Sequence, residues 1–387
     1  MKKKLLAVAV AGAFAIPGVA LAQSSVTISG LFKGGIESLK YSNSAKANNG
    51  QVGVVDDSSR VVFNVVEDLG GGLQAIGQFD IRLKLDDPSG SPANNATGGA
   101  PGGNTHIGLR SSSWGRLLIG RQDVHYFNTE SNIADKASLR LVPFSLLSYA
   151  AGGGVAVAAT TRTPNIVHYT TPNWGGFTMI AAWSANPQVT AGLPLAEADI
   201  GSGVRKGSAW TLNPNMAGSN WQVGYSYWRS KPDAGTNAAG TADQRGDRLY
   251  GSYKWGGLKA GLAWDKSKLK GALNGVVVSD RTAWSIPVSY SWGAHEIHGH
   301  YTKARNDKAA AFAGLDTQAK MWAIAYVYNL SKRTSAAIEY GKINNGTNAN
   351  YTFFTSASLG LGGGTGAIAA GAGEDPKMWG LTMRHAF

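Results

Sequence analysis

The chain has 387 residues and no cysteine, which excludes a disulfide framework and any thiolate nucleophile or metal site. Its 36 Lys and Arg exceed its 24 Asp and Glu, a formal charge of +12 that draws anions toward wherever the cations cluster. Only 16% of residues are charged, yet there are 12 Trp, 14 Tyr, 11 Phe and 52 Gly, a composition shared by aromatic-belted membrane barrels and by aromatic-rich soluble β-proteins.

Residues 1–22, MKKKLLAVAVAGAFAIPGVALA, run from three lysines through an apolar stretch to Ala20-Leu21-Ala22. That order is a secretory leader, too short to cross a bilayer as a helix, so the mature chain is expected to start at Gln23 and to be exported. Beyond it no apolar run approaches the ~20 residues a membrane helix needs. Any membrane passage is therefore made by strands.

The first strand reads SSVTISGLFKGGIESLKY, with Val26, Ile28, Phe32 and Ile36 on one face and Thr27, Ser29, Lys33 and Glu37 on the other. The next pair is SRVVFNVVEDLGGGLQAIGQFDIRLKLDD. It sets Phe79, Ile81, Leu83 and Leu85 against Gln78, Asp80, Arg82 and Lys84, and it puts Arg60 with Asn64 opposite Val61 and Phe63. Seven tight turns follow one another along the chain, at 67–72, 111–115, 172–176, 213–220, 254–257, 291–294 and 329–333. Eight long polar connections lie between them, at about 42–57, 87–103, 124–163, 187–205, 231–244, 268–279, 305–317 and 345–375. Fifteen connections require sixteen strands. Short turns on one side and long loops on the other form the outer-membrane layout: all-β, a 16-stranded antiparallel transmembrane β-barrel occupying residues 23–387. Trp114, Trp174, Trp255 and Trp292 in the turns suit an interfacial belt. The chain stops on KMWGLTMRHAF, where Trp379, Leu381, Met383 and Phe387 share a face with His385; this strand must pair with the first to close the barrel and remove both edges.

A pore needs a polar lumen and a charged constriction rather than catalytic groups. Asp80, Arg82 and Lys84 share the polar face, as do His106 and Arg110. Alternation from Leu117 and Ile119 turns Arg121 toward lipid unless a bulge resets the parity or the strand ends at Gly120. The connection at about 124–163 is too long to be idle, and its centre, LRLVPFSLLSY, suits an inner wall better than water. This third loop is expected to fold inward as the constriction. Glu130, Asp135 and Arg140 are its candidates to face the wall cations across the hole. A rival reading is a barrel enzyme or an adhesin without an open pore. HEIHGH at 295–300 looks metal-like, but strand spacing puts His298 and His300 on one face and His295 on the other, and metal ligands must converge. A soluble propeller would show a repeat of roughly 40–50 residues, and none is present.

The segments SSVTISG, SSRVVFNVVEDLGGGLQAI, IGLRSSSWGRLLIGRQ, NIVHYTTPNWGGF and GLTMRHAF together resemble the general porins of Gram-negative bacteria, in particular those of β-proteobacteria and neisseriae. The resemblance implies an outer-membrane homotrimer, each barrel narrowed by its third loop. It also implies a passive, water-filled channel for small hydrophilic solutes and ions; the net positive charge, where Arg60, Arg82 and Arg121 line the hole, is expected to favour small anionic and neutral solutes. It identifies Phe387 as part of the signal read by the barrel assembly machinery, with Trp379, Leu381 and Met383 beside it, and it favours an inward Arg121 and a wall arginine at Arg60. Outer-membrane lipid and lipopolysaccharide are the remaining expected partners; no cofactor, metal or nucleic acid is implied. This chain departs from the family pattern in GGNTHIGL, which lacks an arginine, in His168 replacing a basic residue before the tyrosine of NIVHY, and in the extra Arg82.

Overall fold

The structure is a computed structural model, described here for residues 24–44, 49–83, 85, 103–125, 136–148, 162–185, 189–190, 193–194, 207–231, 242–271, 274–353 and 371–387. The expected leader, residues 1–22, lies outside them. The wall begins with β1 (Ser25–Ser42), β2 in two pieces (Gly50–Asp56 and Arg60–Gly70), β3 (Leu73–Arg82), β4 (Thr105–Ser111) and β5 (Gly115–Asp123). It continues through β6 (Arg162–Thr170), β7 (Phe177–Ala185), β8 (Ser208–Ala217), β9 (Trp221–Lys231), β10 (Ala242–Trp255) and β11 (Leu258–Gly271). It closes with β12 (Val277–Trp292), β13 (His295–Ala304), β14 (Ala319–Asn329), β15 (Thr334–Asn345) and β16 (Asp375–Ala386). Each strand pairs antiparallel with its neighbours, and β1 pairs with β16 from Leu31↔Ala386 to Ser42↔Asp375, so the sixteen strands form a closed barrel.

Both pieces of β2 pair with β1, and the break between them is local. Asp56 Oδ2 accepts the N–H groups of Ser58 and Ser59 at 2.9 and 3.3 Å, and Ser58 adopts a φ of 75°. Interrupting the ladder there re-aims a side chain, as bulges do. Asp57 turns inward and meets Lys33 Nζ at 2.8 Å.

All seven expected turns join consecutive strands. Two of the expected long loops are shorter than their composition suggests. Residues 50–56 continue the ladder on β1, and the connection expected at 268–279 shrinks to the five residues between Gly271 and Val277. Lys268 and Lys270 read as loop residues because they are charged. They lie on the outward face of β11 at the loop-side rim, beyond the hydrocarbon, while Leu269 between them is buried.

The outer face is apolar: Ile28, Ile36, Ile107, Leu249, Ile338 and Leu381 are all exposed there. Near the turns, Trp114, Trp174, Trp255 and Trp292 are exposed as an interfacial belt requires. A second belt lies toward the loops, where Trp284 packs on Tyr301 at 5.4 Å and Trp322 on Tyr340 at 5.1 Å between ring centroids. Phe387 continues the ladder past β16, exchanging backbone hydrogen bonds with Gly30 at 3.0 and 3.1 Å, and its ring rests 5.4 Å from that of Phe32.

Candidate functional site

Alternation along each strand aims one set of side chains inward, and within the described part of the third loop, residues 136–148 lie against that inner wall. Two 3-10 turns, Leu139–Leu141 and Pro143–Ser145, carry Leu141, Val142, Phe144, Leu146 and Leu147 into a buried cluster. The wall makes room by presenting Ala263, Ala283, Ala304, Ala323 and Ala337 at inward positions of β11–β15. Lumen-facing positions of a water-filled barrel are ordinarily polar. Inward alanines were thus a legible sign of a lodged loop, one that sequence reasoning missed.

Carboxylates of the wall hold the loop at both ends. Ser138 N–H donates to Glu339 Oε2 and its hydroxyl to Glu37 Oε1, both at 2.7 Å. Leu139 N–H reaches both oxygens of Asp57 at 3.0 Å, and Arg140 pairs with Glu37 at 2.5 Å. At the other end Asp265 accepts from the Ser148 N–H and hydroxyl at 3.0 and 2.9 Å while pairing with Arg248 at 2.9 Å. Arg281 donates to the Leu146 carbonyl, and His300 Nε2 donates to that of Leu141 at 2.7 Å. From the last long loop, Tyr351 and Phe353 enter the same cluster, and the Arg281 guanidinium sits 5.7 Å from the Tyr351 ring centroid. Just before this region, His125 Nδ1 bonds Ser226 Oγ at 2.7 Å. Complete burial, with Arg248 nearby, pushes its pKa down to about 3.

A different stretch of the inner wall, β2–β5, carries opposed arginines. Arg60 of β2 lies directly opposite Arg82 of β3, both on the inward parity. Arg82 is held by Asp80 at 2.8 Å and the Ser58 hydroxyl at 2.6 Å. At the short-turn end of the same stretch of wall, level with Gln74 of β3, Arg110 of β4 lies opposite Arg116 of β5. Arg110 is exposed and braced by Gln74 Oε1 at 2.9 and 2.7 Å. Arg116, which sequence reasoning did not select, donates to Thr170 Oγ1 at 3.5 Å; its even position in phase with Gln122 was the available signal. His168 is buried beside them on β6.

Two sequence expectations meet a different geometry. Arg140 does not face wall cations across a hole; it is seated on the wall anion Glu37, because the loop packs against β1 and β15 rather than spanning freely. Arg121 stays in register opposite Thr105, in phase with outward Leu117 and Ile119. The register with β6 shifts between Gly120 and Gln122, where Gly120 has a φ of 139° and Asn165 of β6 a φ of 52°. Gln122 takes the inward place beside His106. Lys84, Glu130 and Asp135 lie outside the described residues. The histidines of HEIHGH do not converge: His295 stacks outward on Trp292 at 5.4 Å, while inward His298 pairs with Glu296 at 2.9 Å and His300 holds the loop. Among the described residues no group of three or more His, Asp or Glu is placed to hold a metal.

This geometry has clear relatives. A family model described as Gram-negative porin matches residues 7–348. The chain is 29% identical over 382 residues to an outer membrane porin protein of Bordetella pertussis, covering 87% of this chain and 92% of that one. It is 28% identical to outer membrane porin protein 32 of Delftia acidovorans over the full length of both. Among solved structures, an anion-selective porin from Comamonas acidovorans superposes with a TM-score of 0.72 at 20% identity, covering 94% of this chain and all of that one. The trimer form of OmpT, an outer membrane protein of Vibrio cholerae, gives a TM-score of 0.61 at 15% identity, with 94% and 99% covered.

Proposed function

Because this chain belongs to the Gram-negative porin family, we propose that its channel through the outer membrane favours small anions and that the arginines of β2–β5 set this preference. The porin activity itself, passive diffusion of small hydrophilic solutes through a water-filled barrel, follows from the family and the closed sixteen-stranded wall. The preference rests on one observation. The inner-wall carboxylates Glu37, Asp57, Glu339 and Asp265 are engaged in holding the loop, whereas Arg60 opposes Arg82 and Arg110 opposes Arg116. Like-charged neighbours at directly opposed positions repel, and anions passing through the lumen relieve that repulsion. The anion selectivity named for the Comamonas porin points the same way. A homotrimer, supported by the trimeric Vibrio fold relative, and insertion by the barrel assembly machinery through Phe387 complete the reading.

Single-channel reversal potential under a salt gradient tests it. Wild-type protein should be anion-selective at low salt, and the preference should fade as screening shortens the Debye length below ~10 Å above 0.1 M. Arg60→Gln should move the reversal potential toward cations. Arg82→Gln should move it further, because it also strips the cation from Asp80. A cation-selective wild type, or an unchanged potential in the double variant, overturns the assignment.

A further inference from the structure

Among the described residues three arginines, Arg140, Arg248 and Arg281, are buried to 2% exposure or less. Two of them meet a carboxylate where they sit. Arg140 is seated on Glu37, and Arg248 turns the Nε and Nη2 edge of its guanidinium to Asp265 Oδ2 at 3.1 and 2.9 Å. Arg281 of β12 does not. Its Nη1 donates to the Leu146 carbonyl of the third loop, a neutral acceptor, while Nε and Nη2 have no hydrogen-bond partner among the described residues. Buried donors left unmade are costly, most of all on a charged group. Tyr351 of the last long loop stands over the same guanidinium, which lies 5.7 Å from its ring centroid; its buried hydroxyl is beside the charge but makes no hydrogen bond of normal geometry. The nearby carboxylates are already engaged. Asp265, close enough for its charge to interact with that of Arg281, accepts from Arg248, Ser148 and Ser267. Asp307, within electrostatic reach of Tyr351, accepts from the Ser279 hydroxyl and from the N–H groups of Asp280 and Ala309.

The two unpaired atoms identify what fits. Nε and Nη2 are the parallel donors with which a guanidinium grips both oxygens of a carboxylate, and they form the edge that Arg248 already uses on Asp265. The Tyr351 hydroxyl adds a third donor beside them, and the burial of both side chains limits the occupant to a few atoms. We propose that Arg281 and Tyr351 form a fixed site for a small planar oxyanion of the carboxylate class, which pins the third loop and the last long loop to β12. Such an ion resides rather than passes: β12 is half-way round the barrel from β4, and the site lies within the packed cluster that holds Leu146, Tyr351 and Phe353. Its occupancy sets how tightly the two loops are held, because one loop supplies the Leu146 carbonyl to Arg281 and the other supplies Tyr351. The site is independent of the selectivity assigned to the arginines of β2–β5.

The test is thermal unfolding of the full-length barrel in a neutral detergent, in sodium formate against sodium gluconate at equal ionic strength. Formate is the probe; gluconate carries the same carboxylate on a body too large for a buried site. A ligand bound only by the folded state raises the midpoint, so wild type should unfold a few degrees higher in formate than in gluconate. R281Q should lose that difference, and in gluconate it should be at least as stable as wild type, since an uncompensated buried charge is gone. Y351F, which removes one donor and keeps the ring, should need several-fold more formate for the same shift. Formate should also quiet the open-channel current of wild type and leave that of R281Q unchanged. R60Q/R82Q should keep the full formate response while its reversal potential moves; a response intact with an unmoved potential counts against the selectivity reading and supports this site. Equal stabilisation of wild type by gluconate, a formate response retained in R281Q, or a wild-type response in Y351F overturns the proposal. If R281Q yields no barrel, the Y351F titration decides it in the same two directions.

Discussion

At Gly30 a Cβ would lie 2.2 Å from the Phe387 ring and 2.7 Å from the Arg60 carbonyl oxygen, so the terminal aromatic is seated only because β1 has no side chain there. Gly30→Ala should therefore cost about 1–3 kcal/mol through overpacking and lower the yield of heat-modifiable barrel. Gly77→Ala, where the nearest atom is 3.7 Å away, should leave the yield unchanged; equal losses in both variants would remove this explanation. His125 makes a second prediction at this scale. Its pKa, lowered by burial to about 3, lies below the ordinary 6.5, so the unfolded chain takes up a proton that the folded chain refuses. Stability should then fall as pH drops from about 6.5 toward 3, by up to ~1.4 kcal/mol per pH unit from this group. Unfolding free energies of His125→Asn between pH 6 and pH 4 should show a shallower slope than wild type.

Among the elements, the inner loop has the most consequence for the current. Glu37→Gln leaves the buried Arg140 guanidinium without its anion, a change that typically costs about 3–5 kcal/mol. Local release should come before global unfolding, seen as noisier single-channel current and a raised mean conductance. Adding Arg140→Gln should quiet the noise again, because the unpaired charge is gone; a double variant as noisy as the single one would argue against the pairing. Much at this scale was legible in the sequence. Period-two alternation gave the faces of β1 and β3, and the seven turns fell where Gly, Asn and Trp cluster. Strand limits at the rim were not legible, since Lys268 and Lys270 resemble loop residues until the level of the membrane is known. Parity placed Glu37 inward, but it carries no information on which loop residue would come to meet it across a hundred positions of chain. Motif likeness pointed Arg121 inward against its own alternation; the ladder keeps it opposite Thr105 of β4, while the register with β6 shifts at Gly120, whose φ is 139°.

Over the whole molecule, the β1–β16 seam decides assembly. Deleting Phe387 removes the two backbone hydrogen bonds to Gly30 and the ring against Phe32, so outer-membrane insertion should drop sharply while export across the inner membrane continues. Normal yields of heat-modifiable barrel from the truncated chain would contradict this. The seam also sets a timetable. β1 leaves the ribosome first and β16 last of the sixteen strands, so β1 waits with one edge unsatisfied until nearly all the chain exists. Contacts this distant in sequence form slowly, and an open edge in the meantime invites pairing with other chains. Cells making this protein therefore need a keeper for the unfinished chain throughout its transit. Shortage of that keeper should harm this barrel more than exported proteins whose first and last segments never meet.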